Sequence, residues 1–115
     1  MTVFLSGTGM SWSGDFFKGV AAYKAGNYAL ALQEWKPLAE NGHVSAQYNL
    51  SRMYALGQGI IQDHVYAHLW SNIAASSGHK NASANRDVIA NRMTASQLEK
   101  AQDLAIKSLK YNHFF

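Results

Sequence analysis

Residues 42–82 read GHVSAQYNLSRMYALGQGIIQDHVYAHLWSNIAASSGHKNA, and this stretch decides the fold. From Val44 to Leu56 the apolar residues Ala46, Leu50, Met53 and Tyr54 recur at three- and four-residue spacing, the spacing of one helix face. Gly57 and Gly59 end that helix, because glycine accepts the left-handed backbone of a helix exit. Asp63 is placed to cap a second helix over 64–77, with Tyr66, Leu69, Trp70, Ile73 and Ala74 as its apolar stripe. Gly78 closes it. Two amphipathic helices joined by a short glycine turn make a helical hairpin.

The same hairpin recurs upstream. A shift of 36 residues carries Ala31 onto Ala67, Ala39 onto Ala75, Gly42 onto Gly78, His43 onto His79 and Ala46 onto Ala82, and a shift of 35 carries Trp35 onto Trp70. Alanine is common in the chain, so the Trp and Gly matches carry most of the weight. The first hairpin pairs a helix over about Asp15 to Lys24 with one over about Tyr28 to Glu40, Gly26 breaking and Asn27 capping between them. Tyr28, Ala31, Leu32, Trp35, Leu38 and Ala39 form one face of the second, and Pro37 predicts a local distortion there. Downstream, a fifth helix over about Asn81 to Arg92 precedes a sixth that starts after Thr94. Thr94 and Gln97 have capping-box spacing. Leu98, Ala101, Leu104 or Ala105, and Leu109 are the expected buried face of the sixth.

The expectation is therefore an all-α chain, a short solenoid of about three antiparallel hairpins and six helices. One such unit cannot bury its own apolar face, and stacking three buries a continuous core. Residues 1–14 are read as an arm (a leader stub, a cloning remnant or a native extension), and 15–110 as one domain. Within it 15–41, 43–78 and 80–110 are the successive hairpins, and the aromatic residues 111–115 form a tail.

Composition fits. Of 115 residues, 48% are hydrophobic and 15% charged, a globular balance with enough chain for a core. The absence of cysteine excludes disulfides, thiolate catalysis and Cys-based zinc sites. The net charge of +3 comes from scattered basic residues, with no stripe of the kind nucleic acid requires. No apolar run approaches the ~20 residues that span a bilayer.

Candidate chemistry is sparse. His64 and His68 lie four apart, a metal-ligand spacing, but no third ligand is apparent and an exposed polar helix face is the better reading. Gly57-Gln58-Gly59 follows a helix and lacks the Lys-Ser/Thr of a phosphate loop. The seven carboxylates suggest no acid/base dyad, and no serine sits in a nucleophile elbow. The chain is expected to be neither an enzyme nor a holder of a cofactor or metal.

The pattern Ala46, Leu50, Met53, Tyr54, Gly57, Gly59, Asp63, Ala67, Trp70, Ala74, Ala75, Gly78 and Ala82 resembles the Sel-one-like repeat, a branch of the tetratricopeptide-like helical repeats. The resemblance covers roughly residues 16–107. Ser51 stands where the family usually has Gly, which is expected to loosen the closest helix contact. Ile61 stands where Pro is common. The resemblance implies a tetratricopeptide-like superhelix whose first helix in each hairpin lines a concave groove for a peptide or partner protein. On that basis Tyr48 and Arg52 are the leading contacts, with Tyr23, Asn49 and Asn85 beside them. Phe16, Val20, Ser45, Asn81 and Arg86 are further off-stripe candidates. Self-association, as a homo-oligomer through the arm and tail or by swapping a hairpin, is the alternative, and an envelope ligand-binding protein or enzyme a weaker one. The resemblance implies a bacterial protein; it slightly favours export and leaves the compartment open.

Overall fold

The computed structural model describes residues 14–111. The arm expected at 1–14, apart from Gly14, and the tail expected at 111–115, apart from Tyr111, lie outside the described residues. So does the proposed pairing of arm and tail with another copy.

Six helices follow in order: α1 (Phe16–Lys24), α2 (Tyr28–Glu40), α3 (Val44–Leu56), α4 (His64–Ser76), α5 (Ala82–Ala90) and α6 (Ala95–Tyr111). Except at α5, their starts are set by side-chain caps that satisfy amides lacking a helical partner. Asp15 accepts from Lys18 N, Asn27 from Leu30 N and Asp63 from Tyr66 N. α3 is capped by His43, whose Nδ1 accepts from Ala46 N at 3.1 Å. The capping box before α6 is formed: Gln97 N donates to Thr94 Oγ1 and Thr94 N donates to Gln97 Oε1. Gly57 leaves α3 at φ +68°, a conformation a β-carbon would strain.

α2 runs through Pro37 to Glu40, the expected bounds, and Asn41 Nδ2 donates to the Pro37 carbonyl at 2.8 Å. One expectation is corrected here. α5 stops at Ala90 rather than Arg92, because Arg92 N and Met93 N turn back onto the carbonyls of Ile89 and Ala90.

The helices pack as a zigzag. α1 lies on α2, α2 on α3 and α3 on α4, while α5 and α6 both lean on α4. The continuous core is built from Trp35 of α2, Leu50 and Met53 of α3, and Leu69, Trp70 and Ile73 of α4, each at most 3% exposed. Burying groups of this size is the main force holding such a stack together. Trp35 is seated by its indole N–H, which donates to the Phe16 carbonyl at 3.1 Å. Gly19 makes that seat possible, since a β-carbon there would collide with the Trp35 ring.

On α6 the buried line is Ala101, Ala105 and Ser108, with Leu98 and Leu104 half-buried. Leu109, expected inside, is 51% exposed. The inward face is set by the α4 surface at i, i+4, i+7 from Ala101, and position 108 falls on it.

Candidate peptide-binding groove

First helices α1, α3 and α5 make no substantial packing with one another, and the gaps between them are open clefts. The cleft between α1 and α3 holds about 150 Å³ and is walled by Val20, Tyr23, Lys24, Trp35, Asn49 and Arg52. The cleft between α3 and α5, closed at one end by the start of α4, holds about 260 Å³. Its walls include Arg52, Leu56, His64, Asn85, Val88 and Arg92. Arg52 belongs to both walls, so the two clefts adjoin at that side chain on the first-helix face.

The five expected contact residues fall in three situations. Asn49 and Arg52 line the groove from α3. Tyr23 and Asn85 also line it, but each spends a polar group on the fold. The Tyr23 hydroxyl donates to Gln58 Oε1 at 2.7 Å, and its ring lies 5.6 Å from that of Trp35. Asn85 Nδ2 donates to Ser71 Oγ at 2.8 Å and Ser51 Oγ at 3.2 Å. Tyr48 lies in neither wall; its ring stacks on His79, 4.2 Å between centroids, bridging α3 to the turn before α5.

The Asn85 contacts form part of a polar clasp. Ser51 Oγ donates to the Ala67 carbonyl at 2.7 Å, and Ser71 Oγ donates to the Ala82 carbonyl at 3.2 Å. Both serines are fully buried. Ser51 thus ties α3 to α4 and, through Asn85, to α5. The expected loosening is replaced by a hydrogen-bonded node, because the hydroxyl finds a carbonyl it can reach.

Of the other off-stripe residues, Val20 is in the groove. Phe16 stacks on His43 at 4.8 Å, and Asn81 sits exposed at the start of α5. Arg86 faces away from the groove, donating to Asn72 Oδ1 at 3.1 Å and Asp87 Oδ1 at 3.3 Å. It borders a separate cavity of about 270 Å³ between α4, α5 and α6, lined also by His68, Asn72, Leu98 and Gln102. His68 is 3% exposed, which corrects the exposed-face reading. Burial, and secondly the Arg86 charge, hold its imidazole below the usual 6.5, with Asp87 opposing. His64 and His68 therefore line different cavities, and among the described residues no group of three His, Asp or Glu side chains is placed to hold a metal.

Sequence reasoning did not single out Lys24 or Arg92 for the groove. Lys24 is the last residue of α1 and Arg92 follows the end of α5 by two residues, and that placement was the available signal.

No family model matches the chain. It is similar to two curated proteins, each named exopolysaccharide production negative regulator. The one from Rhizobium leguminosarum bv. viciae is 40% identical over 62 residues, 52% of this chain and 23% of that protein. The one from Rhizobium meliloti is 38% identical over 66 residues, 54% of this chain and 25% of that protein. The chain spans about a quarter of the length of these curated relatives. Among solved structures it is similar to a protective antigen present in uropathogenic Escherichia coli strains that displays an SLR, or Sel-one-like repeat, fold. The TM-score is 0.77 at 26% identity, covering 83% of this chain and 21% of that one. Over the described residues the chain is all-helical and has the Sel-one-like repeat fold.

Proposed function

We propose that this chain is a non-catalytic interaction module that takes an extended segment of a partner protein along the groove of α1, α3 and α5. The observation that carries the reading is Arg52, which stands in the walls of both clefts, so that one extended segment could engage the two together. Concave surfaces on stacked helical hairpins are the usual binding faces of solenoids. An arginine beside aromatic and aliphatic walls also has the composition that interface centres favour. The regulator name carried by the two relatives fits a protein that acts by occupying a partner, and we extend that role to this chain on the same ground.

Photo-crosslinking in cells of the native host tests it. A photoreactive side chain at Asn49 is expected to capture a partner that the same group at Gln33, exposed on α2, does not. Adducts from position 33 alone would move the binding face to the opposite side.

Self-association is a second reading, favoured by one observation: Ile106, Leu109 and Tyr111 of α6 are 64%, 51% and 66% exposed. A mass that doubles with concentration in light scattering would support it, and a constant monomer mass would remove it.

A further inference from the structure

The groove has a charge as well as a shape. Lys24, Arg52 and Arg92 stand in its walls, and no carboxylate does. Among the described residues the ion pairs are Lys18 with Glu34, Arg86 with Asp87 and Lys107 with Asp103, so the three groove cations have no partner. All seven Asp and Glu residues of the sequence lie between Asp15 and Asp103, within the described part, and each stands outside the groove lining. None of this chain's acidic side chains neutralises the groove. Like charges lining adjoining clefts with no carboxylate between them focus a positive potential into both.

Between these cations the walls are apolar. Val20, Tyr23 and Trp35 line one cleft. Leu56 and Val88, 56% and 58% exposed, line the other. We propose that the occupant of the groove is an acidic peptide whose carboxylates pair with Lys24, Arg52 and Arg92 around an apolar side chain set into a cleft. Arginine suits the role because its planar fork receives a carboxylate through two parallel hydrogen bonds. A single-stranded nucleic acid fits less well. Its bases need exposed aromatic faces, and here Trp35 is 3% exposed while the Tyr23 ring is packed near those of Tyr28 and Trp35. This inference rests on the groove reading above and adds the chemistry of the partner.

The test is selection from a displayed library of random 12-residue peptides on the purified chain. Selected peptides are then measured by fluorescence anisotropy. The variants are Arg52→Glu/Arg92→Glu and Arg52→Gln/Arg92→Gln. A control, Lys36→Glu/Lys80→Glu, changes the net charge equally at exposed sites outside the groove. All four positions are exposed, so thermal melts matching the wild type are expected. The selected peptides should carry several Asp or Glu around an aliphatic or aromatic residue and should weaken as salt rises. They should lose at least about tenfold in affinity with either groove variant and little with the control. Neutral or basic peptides that still depend on Arg52 and Arg92 would overturn the acidic occupant and leave the groove standing. Peptides indifferent to the groove variants, or no enrichment at all, would overturn both. A dT20 oligonucleotide that binds more tightly than the peptides, through the same arginines, would replace the peptide with a nucleic acid.

Discussion

The central hairpin and the closing hairpin are built from the same kind of element and held in different ways. In the central one, α3 and α4 pack directly on each other, and Leu50, Met53, Leu69, Trp70 and Ile73 are each at most 1% exposed. In the closing one, α5 and α6 lean separately on α4 and leave a cavity between them. Their buried residues are small, Ala82, Ala101, Ala105 and Ser108, with Ile89 the one large apolar side chain fully covered among those described, while Val88, Ile106 and Leu109 face outward. The difference teaches that repeat spacing alone does not fix how much apolar volume a hairpin contributes. That depends on whether its two helices meet each other or only a third.

The largest effect is expected where the central hairpin is emptied. Trp70→Ala removes an indole that is 1% exposed and should cost about 3–5 kcal/mol, measured by urea unfolding. A loss under ~1 kcal/mol would mean that the two hairpins are packed alike after all.

Next comes the link between them. Asn85→Ala leaves the buried Ser51 and Ser71 hydroxyls without their shared donor and should cost about 1–2 kcal/mol in the same experiment. An unchanged midpoint would show that α5 is held by apolar contact alone.

A smaller effect should appear with pH at the cavity between α4, α5 and α6. Since burial depresses the His68 pKa in the folded chain, the unfolded chain takes up the proton first as pH falls. The contribution is intact above about 6.5 and is lost as pH drops from there toward the lower folded value. The melting temperature should therefore fall between pH 7.5 and pH 5, and His68→Gln should shrink that fall. An equal fall in the variant would exclude His68 as its source.

The least sensitive positions should be outward on α6. Leu109→Ala and Ile106→Ala are expected to stay within about 0.5 kcal/mol of the parent.

Much of the fold was legible because its punctuation is local. Asp15, Asn27, Asp63 and Thr94 bond amides three residues away, so their spacing alone marks four helix starts. Gly57 likewise announces an exit through its own φ. What was not legible depends on neighbours distant in sequence. Leu109 and Ser108 exchange expected places because α4 chooses the face of α6. His68 is buried because α5 and α6 close over that side of α4. Tyr48 is turned away from the groove by a ring 31 residues onward, that of His79. The site was partly legible for the same reason: α3 carries Asn49 and Arg52, two positions readable on one helix. Lys24 and Arg92 looked scattered along the chain, and only the stacking of first helices brings them to the two clefts on either side of Arg52.

The serine at position 51 has an effect beyond the bonds it makes. By reaching the Ala67 carbonyl and receiving Asn85, it sets the spacing of α3 and α5 from within the core. Groove width is thereby encoded partly in the buried Ser51, and groove charge in exposed residues such as Arg52. The two can drift independently over generations. A lineage can keep the gauge of the slot while rewriting what fits it, or widen the slot by one buried substitution and keep its charge.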